Sequence, residues 1–307
     1  MRVLVTFPVD EKYKRIGEEM LGKGIIIWYP VRERAEILLV NDDNFSREND
    51  IKMIQTITAG VDHIDLGSIP KETVVCSNAG AYSISVAEHT FALILTAMKN
   101  IIEKNSEMKR GIFNSTPTRL LYGKTLGIIG YGGIGKRVAK IARCFEMYVT
   151  AIGRNSPDDN VNEFHGIEDI ENLIKKSDIV VISIPLTKYT ENLIKKDLIL
   201  SMRRGALLLN VARPEIVKKE DLIYALNQRP DITYLSDVWW NEPNVRDTDI
   251  PNAILTPHNA GGKSGEAMEI AFRQAFGNIK NFIDGKDVRN IVKRDEYRKI
   301  DRRNTGV

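Results

Sequence analysis

One stretch of this chain limits its possible folds more than any other. Over residues 125–152 the sequence reads TLGIIGYGGIGKRVAKIARCFEMYVTAI. A compact apolar run at 125–129 enters Gly130, Tyr131, Gly132, Gly133, Ile134 and Gly135. A helical pattern continues through about Phe145, and a second apolar run at 148–152 closes the unit. That order and length, roughly 30 residues, predict a strand–helix–strand crossover, which joins parallel strands. In such a turn the first glycine permits the tight bend and the second lets backbone approach a pyrophosphate. The third allows the helix to pack close on the strand. The start of the helix offers unpaired N–H groups and a positive dipole end to phosphate oxygens. Residues 130–135 are therefore expected to hold a dinucleotide.

The rest of the chain repeats the alternation of short apolar runs with helical patterns, which predicts α/β architecture. Early strands are expected at 3–7, 25–28, 37–40, 54–56 and 74–76, and a long helix at 83–109 with Phe91, Ile94, Leu95 and Met98 on its apolar face. The polar stretch GIFNSTPTRLLYG then reads as a segment crossing between domains. Later strands are expected at 179–182, 206–210, 233–236 and 253–256, a last helix at 265–284, and a strand-like return at 285–292. The fold expected is α/β with two doubly wound parallel-sheet domains. One comprises residues 1–98 plus 285–307, the other residues 99–284.

Composition excludes several classes. The formal net charge of +3 gives no nucleic-acid or membrane signal. No apolar run approaches the roughly 18 residues of a membrane span, and the N-terminal stretch has no signal-peptide cleavage pattern. Cys76 and Cys144 lie far apart, in no metal-like spacing, and are expected as buried thiols in a reducing cytoplasm. No metal site is expected.

Three residues stand just past expected strands: Arg213 after LLLNVA, Glu242 in DVWWNEP and His258 after ILTP. In an open parallel sheet such strand ends face the crevice where a dinucleotide binds. These residue types suit hydride transfer to a 2-oxo acid. A guanidinium pairs with carboxylate and carbonyl oxygens in one plane. The carbonyl oxygen needs a proton as hydride arrives, and histidine donates near neutral pH. A carboxylate beside the imidazole favours its charged form and fixes the ring.

With these motifs the sequence resembles the D-isomer-specific 2-hydroxyacid dehydrogenase family, of the glyoxylate/hydroxypyruvate reductase kind, over nearly its whole length. GKTLGIIGYGGIGKRVAKIA resembles the family's cofactor turn and ISIPLTKYTENLI its proline-containing strand and loop. MRRGALLLNVAR, DVWWNEP and TPHNAGG resemble the segments carrying its catalytic arginine, glutamate and histidine, which fall on Arg213, Glu242 and His258. TAGVDHID resembles the loop whose amides hold the substrate carboxylate, here Ala59, Gly60 and Val61. NAGAYSISVAEHT resembles the domain junction, with Asn78 and Glu88 at its marked positions. The resemblance implies cofactor contacts at Gly130, Tyr131, Gly132, Gly133, Ile134, Gly135, Gly153, Arg154, Asn155, Pro185, Thr190, Val211, Ala212 and Asp237. It implies a larger Rossmann dinucleotide-binding domain, a smaller discontinuous flavodoxin-like substrate domain, and a homodimer pairing through the 83–109 helix and the arm after it.

Departures from the family pattern shape further expectations. Pro214 follows the catalytic arginine where glycine is common, and Ser183 stands where many members have histidine. Gly153 and Arg154 stand where an acidic residue favours NAD, and no carboxylate follows until Asp158. A small residue followed by a guanidinium suits a 2′-phosphate, so NADP is expected to be preferred over NAD. The expected substrate is glyoxylate or hydroxypyruvate, with 3-phosphoglycerate and D-lactate behind. Formate dehydrogenases of the same fold carry glutamine at the position of Glu242, and corepressor-like relatives carry long tails, so both stand further back. No regulatory domain is expected after the return segment. Trp239 and Trp240 are expected to pack at the dimer interface rather than to wall the substrate.

Overall fold

The computed structural model describes residues 1–298 except 32, 46, 48, 49, 155, 263 and 264. The chain divides into two compact units, Met1–Tyr82 with Gly262–Val307, and Ser83–Gly261. Each is built on one parallel sheet.

The first unit comprises β1 (Val3–Val5), α1 (Glu11–Leu21), β2 (Ile26–Trp28), β3 (Ile37–Val40), β4 (Met53–Thr56) and β5 (Val74–Cys76), with the C-terminal helix Glu266–Ile283. Strand order is β2-β1-β3-β4-β5, the flavodoxin-like order. Both faces of the sheet are covered, so its strands are mostly apolar runs instead of alternating ones, with β4 ending in the buried Gln55 and Thr56. The pleat divides them. Ile37 and Leu39 of β3 join Val3, Val5, Tyr13, Phe272 and Phe276 on one face. Leu38 and Val40 join Ile54, Ile64, Leu66 and Val75 on the other. Tyr13 stacks on Phe272 with ring centroids 4.7 Å apart. The return segment reaches β5 as expected, through an antiparallel bridge between Cys76 and Ile291.

The second unit comprises α2 (Ser83–Met98), α3 (Ile101–Lys109), β6 (Thr125–Ile129), α4 (Gly133–Cys144), β7 (Tyr148–Ile152), β8 (Glu163–His165), α5 (Ile170–Lys176), β9 (Ile179–Ile182), α6 (Lys196–Leu200), β10 (Leu207–Asn210), α7 (Lys219–Gln228), β11 (Thr233–Ser236) and β12 (Ala253–Leu255). The sheet order β12-β11-β10-β9-β6-β7-β8 reverses between β6 and β9. That reversal is the switch point where doubly wound sheets bind ligands, beyond the carboxyl ends of the strands.

Four expectations need correction. The helix expected at 83–109 is two helices, α2 and α3. The chain turns at Asn100, whose φ of 51° is left-handed, a conformation asparagine adopts at low cost. The domain boundaries fall at 82/83 and 261/262 instead of 98/99 and 284/285. Packing sets both. The face of α2 bearing Phe91 lies against α4, where Phe91 stacks on Phe145 at 5.4 Å. The helix Glu266–Ile283, α8 in chain order, buries Phe272, Phe276 and Ile279 in the first unit. The stretch GIFNSTPTRLLYG therefore crosses no boundary; it lies within the second unit. Finally, Cys76 is buried as expected, but Cys144, in the last turn of α4, is exposed.

Candidate active site

The glycine turn follows β6, and three of its glycines stand in different surroundings. Gly130 has a φ of +104°, and a Cβ there would stand 2.7 Å from the backbone of Ser183 and Ile184. Gly135 is packed so closely that a Cβ would meet the Gly130 carbonyl oxygen. At Gly132 a Cβ would meet nothing within 4 Å, leaving room for a ligand at the N-terminus of α4. The first intrahelical bond runs from Lys136 N to Gly132 O, so the amides of Gly133, Ile134 and Gly135 precede the ladder. Open space, an amide cluster and a helix N-terminus fit a pyrophosphate. Ser183, the departure from histidine, donates its hydroxyl to Gly130 O at 2.8 Å and ties the turn to the end of β9.

Because the seven strands are parallel, their carboxyl ends share one edge. Gly130 follows β6, Gly153 follows β7, Pro185 lies beyond β9, Val211, Ala212 and Arg213 follow β10, Asp237 follows β11 and His258 lies past β12. Gly153 N bonds His165 O, and Arg154 after it is exposed; Asn155 lies outside the described residues. The buried Thr190 hydroxyl donates to Pro185 O at 2.7 Å and accepts Thr187 N, so it shapes the loop after β9. Ala212 N bonds the Asn210 side chain, whose amide in turn donates to Arg213 O. Arg213 is half-buried, and its guanidinium donates to Ala212 O at 2.9 Å.

Glu242 and His258 are joined directly. Glu242 Oε2 lies 2.6 Å from His258 Nδ1, while its Oε1 accepts Trp239 N at 2.6 Å. The carboxylate is thereby fixed at both oxygens. With Nδ1 engaged, Nε2 is the imidazole nitrogen left to exchange a proton with a ligand. His258 has a φ of 50°, a costly conformation for a non-glycine residue that surrounding structure must hold.

Asp237 does part of that holding. Its buried carboxylate, in a residue expected at the cofactor, takes Thr256 Oγ1 at 2.7 Å, Asn259 N at 3.0 Å and Ala260 N at 2.9 Å. These bonds bracket His258. His89 of α2, absent from the expectations, lies 2.9 Å from Thr256 Oγ1 and 3.5 Å from Asp237. Trp239 is buried in the core of the second unit and meets Trp240 edge-on at 5.0 Å, so the pair packs, but within the unit instead of at a dimer interface. Buried in this way, Trp239 presents no surface for a second copy.

In the first unit, Ala59, Gly60 and Val61 follow β4. Thr58 O and Gly60 O accept from the hydroxyls of Thr56 and Thr58. Among the described residues none of the three amides donates a hydrogen bond. No cluster among the described residues groups three His, Cys, Asp or Glu around a metal position, and no helix there is long and apolar enough to cross a membrane.

Residues 91–260 match the family described as D-isomer specific 2-hydroxyacid dehydrogenase, NAD binding domain. The chain is 32% identical to the glycerate dehydrogenase of Methylorubrum extorquens, over 84% of this chain and 85% of that protein. It is 31% identical to the D-3-phosphoglycerate dehydrogenase of Methanocaldococcus jannaschii over 95% of its own length, but spans only 59% of that longer protein. A solved glycerate dehydrogenase related protein from Thermoplasma acidophilum is 49% identical, with a TM-score of 0.72 over 92% of this chain and 100% of that one.

Proposed function

The chain belongs to the D-isomer specific 2-hydroxyacid dehydrogenase family, a family of NAD-binding oxidoreductases, and from that premise we propose that it interconverts a small 2-oxo acid and its D-2-hydroxy acid. Glyoxylate or hydroxypyruvate is the favoured substrate, ahead of 3-phosphoglycerate and D-lactate. The observation that carries the proposal is the 2.6 Å Glu242–His258 contact on the edge of the sheet that bears the glycine turn. A charged carboxylate partner serves proton delivery to a carbonyl oxygen; formate oxidation needs no such acid.

When bound, the nicotinamide supplies or takes up the hydride. The chain's own groups do the rest. The Arg213 guanidinium holds the carboxylate and carbonyl oxygens of the substrate. The amides of Ala59, Gly60 and Val61 are proposed as donors to a carboxylate. As the carbonyl carbon gains hydride, its oxygen takes the Nε2 proton of His258, and Glu242 stabilises the imidazolium form. In the reverse direction His258 removes the hydroxyl proton. Gly153 and Arg154 support a preference for NADPH over NADH, because a small residue followed by a guanidinium suits a 2′-phosphate.

A homodimer is proposed on the surface of α3. None of its residues is buried, and Ile101, Ile102, Met108, Phe113, Leu120 and Tyr122 of the helix and the arm after it are exposed. Lys104 Nζ ties the arm down through Asn114 O and Thr116 O. Exposed apolar surface of this extent marks a protein contact. Steady-state assay with glyoxylate, hydroxypyruvate, 3-phosphoglycerate, pyruvate and formate, each with NADPH and NADH or the oxidised forms, tests the function. Turnover of formate alone, or of none, overturns it. Sedimentation as a monomer at micromolar concentration overturns the dimer.

A further inference from the structure

The end of β7 is the second strand of the dinucleotide fold, where the adenosine ribose is ordinarily read by a carboxylate. Here the place of that side chain is filled. A Cβ on Gly153 would stand 2.9 Å from Tyr131 Cβ and 3.1 Å from the Phe164 ring. The two rings meet edge-on at 5.7 Å, and Tyr131 is buried. Packing thus keeps an acidic residue out of position 153.

The Tyr131 ring comes from the glycine turn, and its hydroxyl reaches the loop after β7. It donates to Asp158 Oδ1 at 2.5 Å. The same oxygen accepts Asn160 N at 3.1 Å and Asn160 Nδ2 at 3.0 Å, so three donors converge on it. Beyond this point Asn162 binds the chain back to β7 through Val149 N at 2.8 Å. The hydrogen bond from Tyr131 first, then those from Asn160 and the charge of Lys136, which lies 5.7 Å over the Tyr131 ring, hold the Asp158 carboxyl below the usual carboxylate range. Burial and Asp158 together push the Tyr131 phenol up, so it stays a donor. The carboxylate of Asp158, which the turn reaches, is thus spent on hydrogen bonds inside the protein.

We propose that the Tyr131–Asp158 hydrogen bond is a latch that sets the loop bearing Arg154 and Ser156 for the 2′ position of the cofactor's adenosine, which makes both members positioning residues for cofactor choice. The inference deepens the cofactor reading above and rests on it. It assigns Tyr131 a second duty beyond the turn, and it assigns Asp158 the task of anchoring, not of receiving the ribose hydroxyl.

Direct binding separates these roles, with NADPH and NADH dissociation constants measured by fluorescence titration of the full chain. Tyr131→Phe keeps the ring and deletes the donor; Asp158→Ala keeps the donor and deletes the acceptor. Each should weaken NADPH about tenfold, the scale of one hydrogen bond to a charged group, and NADH less than about twofold. The double variant should lose no more than either single one, because both remove one contact. Asp158→Asn retains an acceptor oxygen and should restore NADPH binding. Midpoints of thermal unfolding report any general loosening. The proposal is overturned if Tyr131→Phe and Asp158→Ala leave the ratio of the two constants unchanged, or weaken both cofactors alike. It is equally overturned if Asp158→Asn weakens NADH alone, since the carboxylate would then be binding the ribose. Tighter NADH binding by the unmodified protein refutes the NADPH preference by itself, and the latch is then still judged by whether that ratio moves.

Discussion

The two sheets share a construction and differ in what their carboxyl ends present. In both, parallel strands buried on two faces carry little but apolar side chains. The edge of the second sheet ends in charged and hydroxyl side chains bonded to one another: Glu242 to His258, and Asp237 to the loop around it. At the loop after β4 the first sheet offers backbone instead, the amides of Ala59, Gly60 and Val61. Its elaborate polar network lies elsewhere. Gln55, Asn78, Gln274 and Asn278 bond one another and the main chain where α8 and the return segment cross the sheet. In the function proposed above, side chains at the first of these places specify chemistry; at the last they hold a discontinuous chain together. Substitutions should therefore fail differently in the two units.

The largest expected effect is on the second sheet. His258→Ala removes the proton donor and should lower kcat for carbonyl reduction by about 10²–10⁴ while leaving the cofactor dissociation constant nearly unchanged. Near-normal turnover would break the assignment. Arg213→Lys comes next. An ammonium cannot reproduce the planar two-point contact, so kcat/KM should fall on the order of 10², again with cofactor binding kept. A change confined to cofactor affinity would mean that Arg213 serves the dinucleotide and not the substrate.

The same contrast explains which features are legible in the amino-acid sequence. The strands of both sheets stand out as apolar runs because both faces are buried. The glycine turn and the residues just past the strands of the second sheet are legible because side-chain chemistry is written directly in residue type. Contacts between distant elements are not. The α8 pattern shows that it buries one face, but amphipathicity does not say against which sheet, so the sequence points to a boundary at 284 where the fold has it at 261. The break at Asn100 carries no proline or glycine to announce it. Glu163, Phe164 and His165 of β8 are all half-buried at an edge, which leaves no apolar run to find. His89 meets Thr256 across 167 residues of sequence, and only the fold brings them together. The anchoring of the His258 loop by Asp237 is hidden because a carboxylate just past a strand end suits a cofactor contact equally well.

The smallest effect on catalysis should come from the first unit, and it sharpens the comparison most. Asn278 is 7% exposed. Its Nδ2 donates to Gln55 Oε1 at 2.7 Å and to Arg289 O at 3.0 Å, and its Oδ1 accepts Arg289 N at 2.7 Å. Asn278→Ala strands the Gln55 oxygen and the Arg289 amide, a cost of about 1–3 kcal/mol for buried groups left without partners. The loss falls where the return segment meets β5, beside Cys76, and not at the edge that bears His258. Cys76 is an internal reporter of that junction. It is fully buried, and burial pushes its thiol up to about 11, so at neutral pH it reacts only when the structure opens. Cys144 is exposed and should react at once. Alkylation of the unmodified protein should therefore show one fast thiol and one slow one. In Asn278→Ala the slow thiol should react about ten- to a hundredfold faster, following the opening equilibrium, while kcat with the preferred 2-oxo acid stays within about twofold. A fall in kcat to match the faster labelling would mean that the network serves the chemistry after all, and the contrast between the two sheets would fail.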